Sequence, residues 1–423
     1  MNPLRPLTDS TLPLLAGGYA WLPGRWQRTD KPVVRTRLLG KHAVALRGPD
    51  AVRFFYDEQH IKRQDALPDP VLATLFGHGA VHTLDGETHR VRKAMFLSLL
   101  TDPTGVGDLT GLAAQAWDDA AESWADTGGR VVLFDEASRI LTRAVCRWTG
   151  IPLRDDEVTD VASDLVAMVD GFASPGPRHA RARRARARRE AWLAGLVERI
   201  RADASSAMPD SAAATVAAHR DAEGALLSPH DAAVELLNII RPTVAVSWFI
   251  AFAAHALYRW PDHRERLVKE SPAYTDAPGA YAEAFAHEVR RFYPFAPFVG
   301  GLAVSDLTWQ GEPIPEGSMV LLDLYGQNHS EDLWQRPYVF DPNRFLQEPP
   351  QRDELIPQGG GDPVTGHRCP GEDIAVSLLQ TLSLRLAHLE YDVPDQDLRI
   401  PLRRLPAKVR SGFVLDGVQR PAR

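Results

Sequence analysis

The chain has 423 residues, 44% hydrophobic and 24% charged, with a formal net charge of −7. That length suits one large single-site enzyme or two domains, and the acidic balance excludes a general polyanion binder, so no nucleic-acid partner is expected. Its two cysteines, Cys146 and Cys369, lie far apart, without metal-motif or disulfide-framework spacing, so a reducing cytoplasm is the expected compartment.

The first residues, "MNPLRPLTDSTLPLLAGGYAW", lack the basic-then-apolar layout of a signal peptide. Short β-like runs such as "HAVALRG" follow. Residues 108–149 carry apolar positions at helical spacing. Residues 175–202 read as a helix opened by prolines, with seven arginines between Arg178 and Arg189. Alanine and arginine both favour helix, and no aromatics interleave them, so this run reads as a solvated face. Residues 208–230 suggest a loop with a short helix.

A long apolar helix is expected over 229–259. It carries a charge and a helix breaker side by side, Arg241 and Pro242. A buried guanidinium needs a counter-ion, and an internal proline removes a backbone hydrogen bond. Pro242 and His255 argue for a protein core over a bilayer, so no membrane anchor is expected. A further helix covers "YAEAFAHEVRRFY", and short strands follow Pro297. After Cys369, "EDIAVSLLQTLSLRLAHL" is amphipathic. The chain is mostly helix with a few small sheets, and nothing alternates as a βαβ pattern would.

Three groups bear chemistry. Cys369, in "GHRCPGED", stands just before a helix start, where free N–H groups favour thiolate over thiol. On local sequence it is a nucleophile, a metal ligand or a buried structural cysteine. Glu288 and Arg291 share a helix face at i,i+3, and Arg344 offers a second cation for a buried network. Arg241 is the third.

Glu288-x-x-Arg291, Pro342-x-Arg344-Phe345 and Cys369-x-Gly371, in that order, resemble cytochrome P-450. The resemblance implies a mainly α, heme-thiolate fold in one domain over 1–423. Its β-rich part would comprise about 1–60, 298–325 and 388–418. The helical heme-binding core would comprise about 61–297 and 366–390. Cys369 would be the axial ligand of heme iron. There are departures: Asp362 replaces the usual phenylalanine seven residues before the cysteine, and His367 the usual basic residue two before it. The central helix also lacks the family's acid–threonine pair for proton relay.

That last departure resembles a branch, the bacterial fatty-acid peroxygenases. "LLNIIRPTVAVSWF", "EVRRFYPFAPFVG", "LLDLYGQNHS" and "GHRCPGE" carry the likeness, as does "FGHGAVHTLDGETHRVRKAMFLSLLT", over roughly residues 10–418. It implies that Arg241, beside Pro242, binds a long-chain fatty acid by its carboxylate, which supplies the missing acid–base group. Hydrogen peroxide would be the co-substrate, with no obligatory redox partner. Phe76, Phe172, Phe295 and Phe298 are candidates for the acyl tunnel, with plain core packing as the competing reading. His82 matches a position at which similar sequences include alkene-forming decarboxylases. Arg63, His89 and Lys93 would meet the heme propionates, with Gln358 a further cofactor contact. A reductase-dependent monooxygenase and a non-catalytic fatty-acid or heme binder are the alternatives.

Overall fold

The computed structural model describes residues 8–420 apart from 173, 276 and 350. Residues 1–7 of the expected single domain lie outside the described residues. The body is helical, built on Pro103–Thr127, Leu133–Thr149, Val158–Gly171, Pro177–Ala202, Pro229–Val244, Val246–Arg259, Ala280–Phe292 and Glu372–His388. The caps explain the boundaries. The Asp102 carboxylate accepts from Gly105 N–H at 2.8 Å, and the Ser228 hydroxyl from Asp231 N–H at 3.0 Å. Gly150 ends Leu133–Thr149 in the left-handed region, φ 73°.

Nine strands stand among the described residues: β1 (Val34–Leu38), β2 (Lys41–Leu46), β3 (Ile61–Lys62), β4 (Val131–Val132), β5 (Phe298–Ala303), β6 (Leu307–Trp309), β7 (Glu312–Ile314), β8 (Met319–Asp323) and β9 (Val414–Leu415). Five form one sheet in the order β1-β2-β8-β5-β3, parallel only between β2 and β8. The other four pair as β4 with β9 and β6 with β7. β8 is buried at every position, as a central strand covered on both faces must be.

The apolar helix expected over 229–259 is interrupted at Ala245, one turn after Pro242. Pro242 has no N–H to give the Asn238 carbonyl, which loosens the ladder one turn before it, while the Ala245 N–H still bonds the Arg241 carbonyl at 3.0 Å. The helix is long and apolar enough to cross a membrane, but 94% of its most apolar window is buried inside the protein. It is the axis of the core. Trp248 and Phe252 are fully buried on it, and each such side chain contributes roughly 2–3 kcal/mol by burial.

The structure brings Glu288, Arg291 and Arg344 together. Arg291 donates twice to Glu288, at 2.7 Å each, and to the carbonyls of Asn328 (2.8 Å) and Pro337 (2.9 Å). Arg344 Nε donates to the same carboxylate at 3.1 Å. The cluster pins the helix Ala280–Phe292 to the irregular segment 328–345.

Three histidines, His329 buried and His255 and His287 half-buried, are held neutral. His255 meets Tyr293 Oη at 2.8 Å, Arg290 donates to His287 Nδ1 at 3.1 Å, and His329 Nδ1 donates to the Tyr325 carbonyl at 2.9 Å. Burial, then a neighbouring arginine, lowers each from 6.5 to about 4. A histidine depressed on folding stabilises above its unfolded value and loses that contribution as pH falls towards the folded one. Stability should therefore fall between pH 6.5 and 4, these three histidines alone contributing a slope approaching three protons and up to roughly 3 kcal/mol each. Urea unfolding at half-unit pH steps measures it. A stability flat down to pH 4.5 would contradict it.

Candidate functional site

Cys369 precedes the helix Glu372–His388. The fold encloses it, yet it keeps accessible surface, so it faces an internal space rather than packed core. The sulfur accepts from Gly371 N–H. Gln358 Nε2 lies 3.9 Å from it, while Gln358 Oε1 accepts from Arg290 Nε at 3.1 Å and Nη2 at 2.8 Å. Gln358 thus sits against the sulfur and not with Arg63, His89 and Lys93. The helix start was expected to favour thiolate. Instead burial raises the Cys369 thiol, and the adjacent Glu372 adds to this, outweighing the Gly371 N–H. Such a thiol ionises when a metal takes the sulfur.

A second set forms a cationic edge. Arg63 is 6% exposed and Lys93 3%, burials of charge that ask for an anion, and His89 beside them is 1% exposed. Arg63 Nη1 donates to the Gly300 carbonyl at 2.9 Å, and its guanidinium lies over the Phe55 ring at 4.1 Å. His89 and Lys93 share one face of the helix Gly86–Leu100. Lys93 donates to the Arg368 carbonyl, and burial lowers it to about 8. His89 stacks on His367 with ring centroids 3.9 Å apart, and burial lowers it to about 3. His89 Nδ1 is buried without a hydrogen-bond partner among the described residues, while His367 Nε2 faces Asp85 Oδ1 at 3.6 Å. A sulfur at a helix start, facing an internal space, two buried cations, Arg63 and Lys93, and the unpaired Nδ1 of neutral His89 fit the heme that the resemblance implies.

The third set is the carboxylate candidate. Arg241 is 4% exposed, and its Nη1 is buried without a partner among the described residues. Burial, then the nearby Arg186 charge, pushes its proton affinity well below the ordinary value, and negative charge at Cys369 and Glu235 only partly restores it. A charge so placed demands an anion. The Phe76 ring is 5.7 Å from the Arg241 guanidinium and 4.5 Å from the His82 ring. His82 Nδ1 is likewise buried and unpaired. Burial, then the Arg241 charge, holds His82 well below 6.5, so it is neutral.

The remaining phenylalanines diverge. Phe295 packs on Phe249 (5.0 Å) and Trp248 (6.1 Å), on the central helix beyond Pro242. Phe298 packs with Trp21, Leu302 and Leu321 on the sheet. Phe172 caps the helix Val158–Gly171, half-buried. Phe76 is the tunnel candidate that the structure places against Arg241.

Sequence reasoning passed over three residues that hold this region. Glu235, fully buried, accepts from Arg92 Nη1 (2.6 Å) and from Val81 N–H (2.8 Å), next to His82. Asn238 Nδ2 donates to the Phe76 carbonyl at 2.9 Å. Arg186, from the arginine run read as a solvated face, is 2% exposed and donates to the Leu75 and Phe76 carbonyls at 2.7 and 2.9 Å. An acid and an amide on an apolar helix face, six and three residues before Arg241, were the available signal.

A model of the family described as Cytochrome P450 matches residues 154–410. Curated relatives include Cytochrome P450 4A10 of Mus musculus, 30% identical over 185 residues, which are 40% of this chain and 34% of that protein. Cytochrome P450 4A11 of Homo sapiens is 29% identical over 210 residues, 45% of this chain and 39% of that one. The matches thus span little more than a third of those relatives' length. Solved structures align over nearly the whole chain. Cytochrome P450SP alpha (CYP152B1) in complex with (R)-ibuprophen is 44% identical, covering 97% of this chain and 99% of that one, with a TM-score of 0.92. Cytochrome P450EX alpha (CYP152N1) with myristic acid is 35% identical over 98% of both chains, TM-score 0.91. Ligand-free cytochrome P450 OleT is 34% identical over 98% of both, TM-score 0.93. The family match over more than half the sequence joins a shared fold over nearly all of it, and the chain belongs to the cytochrome P450 family.

Proposed function

We propose that this protein is a hydrogen-peroxide-dependent heme enzyme that oxidises long-chain fatty acids at Cα and Cβ. Its products are terminal alkenes with carbon dioxide, together with α- and β-hydroxy acids. The observation that carries this reading is the buried, unpaired Arg241 guanidinium, with Phe76 and His82 at its side. The two structures named above with myristic acid and ibuprofen support it, since both ligands are carboxylic acids.

Heme held at Cys369, with Arg63, His89 and Lys93 at its propionates, would supply the oxidising chemistry. The chain's own residues do the rest. The planar fork of Arg241 binds a carboxylate through two charge-assisted hydrogen bonds. That carboxylate is the group able to take a proton from peroxide and return it, the acid–base role that no side chain on the helix fills. Fixing the head group fixes which carbons are near, so reaction falls on Cα and Cβ. Phe76 shields the ion pair from water, and neutral His82 presents a ring nitrogen to that same end of the substrate.

Both outcomes balance. Hydroxylation consumes one peroxide and releases one water. Decarboxylation converts R–CH2–CH2–COOH and one peroxide into R–CH=CH2, carbon dioxide and two waters. The test is purified holoenzyme with hexadecanoic acid and peroxide, without reductase or NADPH, and gas chromatography of the products. Turnover that needs a reductase would instead support the monooxygenase reading, and no product under either condition a binding protein.

A further inference from the structure

The arginine-rich helix Pro177–Ala202 exposes Arg183 and Arg184 to solvent but turns Arg186 inward. All three guanidinium nitrogens of Arg186 are used. Nε donates to Glu190 at 2.6 Å, one turn along, and Nη1 and Nη2 reach the Leu75 and Phe76 carbonyls. Those two carbonyls end the π-type turn Leu72–Phe76. The next residue is Gly77, φ 89°, and a Cβ there would lie 2.1 Å from Arg186 Nη2. Only glycine admits this arginine at this place.

Asn238 holds the Phe76 carbonyl from the other side, and Glu235 holds Val81 N–H. The stretch 75–81 is therefore tied by buried polar groups to two helices, one of which carries Arg241. The Phe76 and His82 rings meet at the ends of those ties. A surface pair with Glu190 alone would need no burial. What Arg186 gains by going inward is its hold on the backbone under Phe76.

We propose that Arg186 is a positioning residue for product choice: through the Leu75 and Phe76 carbonyls it fixes the Phe76 and His82 rings against Arg241, and so sets which carbon of an Arg241-bound carboxylic acid reacts. This rests on the carboxylate-binding role given to Arg241 above.

The experiment compares wild-type, Arg186→Met and Arg186→Lys holoenzymes on hexadecanoic acid and peroxide. One readout is the ratio of Cα product (2-hydroxy acid) to Cβ products (3-hydroxy acid plus 1-alkene). The other is amide hydrogen exchange over residues 77–83 without substrate. In Arg186→Met the ratio should move at least about threefold and the exchange should rise at least about tenfold. Arg186→Lys, which keeps the charge but can serve fewer carbonyls, should fall between. An unmoved ratio in Arg186→Met overturns the inference, whether or not exchange rises. Should that variant fail to hold heme, Arg186→Lys decides on the same two readouts. A wild-type enzyme that oxidises no fatty acid overturns the proposed function, and this inference with it. A wild-type enzyme that does, with an unmoved variant ratio, overturns this inference alone.

Discussion

Arg241→Leu should lower peroxide-driven fatty-acid turnover by at least about 100-fold and, in the same protein, raise the stability of the ligand-free chain by about 1–3 kcal/mol. The two effects have one cause. The guanidinium is 4% exposed, with Nη1 unpartnered among the described residues, so in the absence of an anion it is an uncompensated buried charge. Replacing such a charge by an apolar side chain of similar bulk removes a desolvation cost, while a bound carboxylate loses both its anchor and its place as proton carrier. Fatty-acid affinity, read from the optical shift of the heme band, should weaken about 10- to 100-fold, the worth of a charge-assisted bidentate pair. Heme content should stay at the wild-type level, because Cys369 and the cationic edge are untouched. Unchanged turnover and affinity would sink the carboxylate role. A drop in stability would show that Arg241 has a structural partner within the fold.

That coupling of cost and use explains which parts of the protein were legible in the sequence. Helices announce themselves by period, and those at 177–202, 280–292 and 372–388 lie where apolar spacing and flanking prolines or glycines put them. Glu288 with Arg291 is a three-residue spacing on one helix, and local geometry alone brings the two together. Arg241 was visible because a permanent charge in an apolar run is anomalous wherever the helix packs.

The remainder depended on long-range packing. Locally Arg186 differs from Arg183 and Arg184 only in having an acid, Glu190, four residues on. Its burial follows from the rotation of its helix against the turn 72–76, a contact across 110 residues of chain. Phe76, Phe295 and Phe298 are alike as letters, yet one faces Arg241, one the central helix and one the sheet. The Cys369 thiol shows the same division. Local sequence supplies the favourable helix start but not the depth of burial, which here dominates.

His82→Gln should shift the products from alkene towards hydroxy acid by at least about threefold, with heme binding and fatty-acid affinity close to wild type. Glutamine can offer hydrogen-bonding groups, but it has neither the ring that packs 4.5 Å from Phe76 nor a nitrogen able to carry a proton. The pH dependence sharpens the test. Burial is the largest force depressing His82, and the Arg241 charge is second. A carboxylate bound at Arg241 offsets the second but leaves the first. His82 should therefore remain neutral from pH 6 to 8, and the wild-type alkene fraction should be flat across that range. A fraction that titrates near pH 6.5 would mean that His82 gains a proton in the complex, and burial would no longer explain its state. A flat fraction that is the same in His82→Gln would remove this residue from the choice between products, and leave that choice to the placement of the fatty acid by Arg241 and Phe76.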